Sequence, residues 1–301
     1  MKDKRNADQR SGIRDQRSGE RLPFPTPHPP SPIPLFLHSL KRIGRITSTL
    51  LSVYYAYMVE YRAELVLWVL AGSLPFILMG IWSKAAATGQ FGLSPVEFAR
   101  YFLATFLVRQ FTIVWVIWEF EKEIVEGRLS FRLLQPLSPV WHYLASHQAE
   151  RLARLPFALL LIGLFFLLYP QAFWVPSLSQ IVLFLLFSAL AFGLRFLMQY
   201  TLSMFAFWTE RASALEQFWF LFYLFLSGLI APLSVFPPAV RTIALWTPFP
   251  YLINFPASLL VGLPVNMTQG ILVILGWGIL FYLLCRWLWK KGLRQYSGMG
   301  A

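Results

Sequence analysis

Residues 218–260 read FWFLFYLFLSGLIAPLSVFPPAVRTIALWTPFPYLINFPASLL. The stretch is apolar nearly throughout, yet Pro232, Pro237, Pro238, Pro248, Pro250 and Pro256 interrupt it. About 20 apolar residues span a bilayer, so it is too long for one crossing and too broken for two ordinary ones. Irregular backbone at membrane depth persists only where protein buries it or where it lines a water-filled cavity. The pattern therefore predicts a membrane helix over 218–235, then short re-entrant helices over 237–246 and 250–260 that cap a pathway.

The rest of the chain agrees with a membrane setting. Of 301 residues, 57% are hydrophobic, 17% aromatic and only 13% charged, with a mean hydropathy of +0.56. A soluble domain has too little interior to hide that much apolar surface, so the composition is that of a polytopic membrane protein. The net charge of +12 does not point to nucleic acid, because ten of the 26 basic residues lie before Thr47 and four more follow Leu284. Basic residues flanking spans fit the positive-inside bias and anionic lipid. The lone Cys285 excludes an internal disulfide and any multi-cysteine metal site. Residues 1–34 are polar and proline-rich without an apolar core, and Asp-Gln-Arg-Ser-Gly occurs at 8–12 and again at 15–19. This predicts a disordered cytoplasmic tail over 1–35, not a cleavable signal, and a membrane domain over 36–301.

Between 37 and 61, apolar residues recur at steps of three and four (Leu37, Leu40, Ile43, Ile46, Leu50, Tyr54, Tyr57 and Tyr61), with Lys41, Arg42 and Arg45 off that face. Such a helix belongs in the headgroup layer. Arg62 and Glu64 then predict a break before insertion. Hydropathy places six spans at about 65–82, 98–120, 152–169, 178–207, 218–235 and 270–289. With both termini inside, the cytoplasmic segments carry nearly all the loop Lys and Arg, and the outer loops only Lys84 and Arg241. The fold class is thus an all-α membrane protein with six transmembrane helices.

Arg109 and Arg195 fall inside spans two and four. A charge at mid-membrane costs about 2.5–3.5 kcal/mol on insertion scales, so it faces protein or water. Each either bonds neighbouring helices or lines a path, with Glu119 and Gln199 as candidate partners. Trp115 and Phe222, with other aromatics of spans two and five, are the apolar candidates for the same path; helix-facing aromatics also serve as ordinary packing. A greasy cavity with few charges favours lipids or amphipathic small molecules over ions or sugars.

The segment 119–139 holds Glu119, Glu121, Glu123 and Glu126. Spacings of two and three spread these around a helix, which disfavours a metal or acid/base cluster, and His142 and His147, five apart, do not share a helical face. Ser130 is expected to cap a short helix carrying Phe131, Leu133 and Leu134, ended by Pro136. An apolar helix exposed on the cytoplasmic side predicts a docking partner; the alternative is a helix lying on the membrane.

Glu126-Gly127-Arg128-Leu129 followed by Leu133-Leu134-Gln135-Pro136, together with Ser227-Gly228-Leu229-Ile230-Ala231-Pro232, Phe236-Pro237-Pro238 and Pro248-Phe249-Pro250-Tyr251, resemble the permease subunits of type-2 ABC exporters. Their order, spacing and sidedness carry the resemblance over roughly 40–295. It implies six spans, an N-terminal interfacial helix, a coupling helix between spans two and three, and a re-entrant hairpin after span five. It assigns ATPase coupling to Glu126, Gly127, Arg128, Phe131, Leu133, Leu134 and Pro136. The outer gate falls to Gly228, Pro232, Pro237, Pro238, Pro248 and Pro250, since proline fixes bends and leaves carbonyls without their helical donors. It also implies two copies of a separate ABC ATPase subunit, a second permease copy or paralogue, and a bacterial inner membrane. No Gly-x-x-x-x-Gly-Lys-Ser/Thr phosphate loop occurs, so no cofactor is expected in this chain and ATP belongs to the partner. A membrane-embedded transferase would want histidines or carboxylates clustered at one face, and a secondary transporter would want carboxylates within spans. The sequence offers neither pattern.

Overall fold

A computed structural model describes residues 35–87, 89 and 91–296. The tail expected over 1–35 lies outside the described residues but for Leu35. The chain divides into two units, one ending at Arg45 and the other spanning Ile46–Ala301. The described part of the first is helical from Leu35 and opens α1, which runs Leu35–Glu60.

In the second unit α1 ends before Tyr61, and α2 (Arg62–Ala71) restarts at the arginine expected to mark the break. A turn at Gly72–Ser73 separates α2 from α3 (Leu74–Ala86). Next come α4 (Pro95–Thr112), α5 (Val116–Val125), α6 (Leu129–Leu133) and α7 (Pro139–Leu168). The chain continues with α8 (Leu178–Ser203), α9 (Ser213–Leu226), α10 (Pro238–Ala244), α11 (Asn254–Val261) and α12 (Met267–Gln295). Helix starts are fixed by local chemistry. Ser94 with Glu97, and Ser177 with Gln180, form reciprocal capping boxes that satisfy otherwise orphaned N–H groups.

Among the described residues, five helical segments are long and apolar enough to cross a membrane: Arg62–Ala86, Pro95–Val125, Pro139–Leu168, Leu178–Phe207 and Met267–Gln295. The helix expected over 218–235 is instead α9, 14 residues long and finished at Leu226. At 1.5 Å per residue it reaches about 21 Å, short of a hydrocarbon core of about 30 Å. Ser227-Gly228 ends it, because Gly228 takes a positive φ of 87° that turns the chain out of the helix.

The most enclosed helix is α4. Phe98, Tyr101, Phe102, Ala104 and Phe106 are all inaccessible to solvent, and α3, α7, α8 and α11 pack against it. The neighbours α2, α3, α7, α9 and α12 keep large apolar side chains on their outer surfaces, among them Leu67, Ile77, Leu160, Phe218 and Leu272. Water would oppose such a surface and lipid would not. The chain is a multi-pass membrane protein.

Candidate functional site

Three places hold the residues singled out by sequence. At the end of the bundle beyond α5, Gly127 turns the chain with φ +68°, and its carbonyl accepts from Ser130 Oγ at 2.6 Å and Tyr296 Oη at 3.2 Å. Ser130 therefore lies inside α6 and donates backwards, while Arg128 occupies the N-cap position. The expected serine cap is absent because the hydroxyl finds a better acceptor in the tight turn before it. Glu126 pairs with Arg128.

Leu129 is fully buried and anchors α6 against α5, whereas Phe131 is 67% exposed and Leu134 84% exposed. Leu133 is partly exposed, and Pro136 lies in the turn that follows. Glu123 clamps this short helix to the bundle. It accepts from Arg132 Nε and Nη2 at 2.7 Å each, and from the buried Tyr143 hydroxyl. Burial lowers the Arg132 pKa, but the hydrogen bonds and charges of Glu123 and Tyr54 together outweigh it and the net shift is upward, so Arg132 stays charged. Arg132 also reaches Tyr54 Oη at 3.4 Å, and Glu121 accepts from the backbone N–H and hydroxyl of Ser213 at the start of α9. α6 is thus tied directly to α5 and α7, and through Glu121 of α5 to the start of α9. Glu123→Ala is expected to cost about 2 kcal/mol, the value of losing charged hydrogen bonds between a buried carboxylate and a partly exposed arginine. Glu123→Gln, which still accepts from Tyr143, costs less; thermal unfolding of the solubilised protein measures both.

The second place is the break between α4 and α5. Ile113 leaves the helix in an extended conformation, with no proline or glycine to force it. The orphaned N–H of Trp115 donates to His147 Nε2 at 2.8 Å, while His147 Nδ1 lies 2.7 Å from the Tyr143 carbonyl. Only the neutral ring protonated at Nδ1 satisfies both bonds. Trp115 packs edge-on to Trp68 and against Trp118, beside a cleft of ≈ 590 Å³ lined by Tyr57, Tyr61, Glu119 and Glu150 among others. His147→Ala strands a buried N–H and is expected to destabilise the protein by about 1–3 kcal/mol. His147→Gln retains part of that, read by hydrogen exchange at Trp115 and by unfolding temperature.

The third place follows α9. The segment 227–233 is stapled to three elements. Tyr101 Oη lies 2.8 Å from the Gly228 carbonyl and 3.0 Å from Asn254 Oδ1. Trp82 Nε1 donates to the Ile230 carbonyl at 2.7 Å, and the Asn254 and Leu233 N–H groups close on Ser227 O and Asn254 Oδ1. Pro232, Pro248 and Pro250 are buried; Pro237 and Pro238 are exposed, with Pro238 opening α10 where its missing N–H costs nothing. A cleft of ≈ 520 Å³ adjoins this segment, lined in part by Glu97, Arg241, Tyr251 and Asn254.

The four path candidates lie on α4, in the break that follows it, on α8 and on α9. Arg195 is 7% exposed and donates from Nη1 to Tyr223 Oη at 3.0 Å, tying α8 to α9. Arg109 is partly buried within α4. Phe222 lies on the outer face of α9, stacked on Phe249. Gln199 bonds Glu216, not either arginine.

The described residues form a helical membrane bundle that carries at one end a short, clamped helix with exposed apolar side chains. The chain belongs to the ABC-2 family transporter proteins, whose family model matches residues 58–300. Membership points to a transport component and implies association with an ATPase subunit. No curated protein matches the chain.

Proposed function

We propose that the protein is the permease subunit of an ATP-driven exporter in a bacterial inner membrane, working as a pair of permeases, identical or paralogous, on two ATPase subunits. Both termini face the cytoplasm. Residues 36–301 form the transmembrane domain. α9 and the segment after it make up the fifth of six crossings, with α10 and α11 as re-entrant pieces on the outer side that gate the exit.

The observation that carries this reading is Phe131 and Leu134, both exposed on a helix too short to stand alone yet fixed by Leu129, Glu123 and the Gly127 turn. Rigid exposed apolar anchors of this kind suit a docking surface. ATP-driven closure of the paired ATPases would push α6, and Glu123 and Glu121 would pass the movement to α7 and α9. The apolar outer face of α9, with Phe218, Phe222 and Phe225, supports a second permease there and a lipophilic or amphipathic substrate between the two.

Purification in mild detergent followed by mass spectrometry tests the reading. A co-purifying ABC ATPase is the expected result; its absence, with no ATP-dependent export from cells expressing the chain, would overturn it.

A further inference from the structure

Four arginines from three helices converge inside the bundle: Arg109 on α4, Arg151 and Arg154 on α7, and Arg195 on α8. Arg154 is 2% exposed and Arg195 7%. Arg109 lies within electrostatic reach of Arg195, and Arg154 of Arg109, Arg151 and Arg195. They therefore repel one another where solvent screening is weakest.

The compensation on hand is incomplete. Glu150 approaches Arg154 Nε at 3.6 Å, beyond hydrogen-bond distance, and also lies in reach of Arg151. Glu216 lies in reach of Arg195 but gives one oxygen to Gln199 at 2.6 Å. Four guanidiniums thus face two carboxylates.

How the guanidiniums are held is more telling than their number. Arg195 Cζ sits 4.4 Å from the Tyr223 ring centroid, and Arg151 Cζ 4.3 Å from that of Phe192. The aromatic rings cover the flat faces, where no N–H points. At the edges, where the donors are, Arg195 Nη1 reaches Tyr223 Oη, but Arg109 Nε, Arg151 Nη2, Arg154 Nε and Nη1, and Arg195 Nε are buried with no hydrogen-bond acceptor among the described residues. Water could take such hydrogen bonds but would leave the excess charge in place; an oxyanion answers both, because guanidinium edges match phosphate geometry.

We infer that this cluster is a binding site for a phosphate-type oxyanion, carried by a lipid headgroup or free. The site stands apart from the α6 docking surface, so its test needs no ATPase. Detergent-purified permease is heated in sodium phosphate against sodium chloride at equal ionic strength, and with dihexanoyl phosphatidic acid against dihexanoyl glycerol. A rise in unfolding temperature with phosphatidic acid alone assigns a headgroup; a rise with both phosphate-bearing probes assigns the oxyanion itself. Arg109→Gln and Arg151→Gln, both at partly accessible positions, are expected to weaken that binding about tenfold each, the worth of one charged hydrogen bond. Arg286→Gln, on the exposed face of α12, is expected to leave it unchanged. No thermal shift with either phosphate-bearing probe, or an equal shift in wild type and both cluster variants, overturns the inference.

Discussion

A permease carrying Phe131→Ala and Leu134→Ala together is expected to bind its ATPase roughly a hundredfold more weakly than the unaltered chain. Both side chains project from α6 with most of their surface open, 67% and 84%. Fully burying a Phe or Leu is worth about 1.5–3 kcal/mol. Part of each is already covered by the bundle, and neighbouring anchors are not additive, so about 2.7 kcal/mol for the pair is a fair expectation. That converts to about two decades in Kd. The change should leave the permease itself folded, because neither side chain contributes to the core that holds Leu129. Measured by co-purification and by permease-stimulated ATP hydrolysis, loss of both with an unchanged unfolding temperature is the expected pattern. Retention of full ATPase binding by the double variant would mean that the subunit grips elsewhere.

Hydropathy alone places three of the expected spans on long unbroken helices, and two more, 65–82 and 98–120, on membrane-competent segments interrupted at 72–73 and at 113–115. The interruption at 113–115 was not legible. Ile113, Val114 and Trp115 carry no local signal to stop a helix, and the bond that makes the break tolerable comes from His147, 32 residues away. Arg151 and Arg154 read as loop charges for a similar reason: α7 begins at Pro139 and buries them, whereas the apolar run that marks a span begins only near Leu152. The end of α9 was readable in principle from Gly228 and Pro232, but the greasy residues that follow masked it. In α6 the exposed pair Phe131 and Leu134 was legible as an apolar patch among charges. The clamp by Glu123, Arg132 and Tyr143 was not, since its members lie on three different elements. Periodicity reports which face of an element is apolar; it does not report which distant polar atom meets which.

Gly228→Val is expected to destabilise the protein by about 4 kcal/mol. Gly228 adopts φ +87°, a left-handed conformation that costs a side-chain-bearing residue about 1–2 kcal/mol, more when it is β-branched. Space is as scarce as conformation. A Cβ there would lie 2.5 Å from Tyr101 Oη and 2.6 Å from Asn254 Cβ, and overpacking of this kind adds about 1–3 kcal/mol. Those two neighbours are the staples that hold 227–233 to α4 and α11, so relief of the clash must release the segment proposed as the outer gate. A cycle with the smaller Gly228→Ala separates the two causes. Tyr101→Phe removes the hydroxyl that the new methyl would strike, at the expense of one hydrogen bond worth about 1 kcal/mol. If the steric account holds, Gly228→Ala is less harmful in the Tyr101→Phe background than alone, by about 1 kcal/mol of coupling in thermal or denaturant unfolding. Strict additivity would instead assign the cost to the backbone angle and to the contact with Asn254. The glycine would then be required for its turn, and the contact between Tyr101 and the segment would have no part in holding it shut.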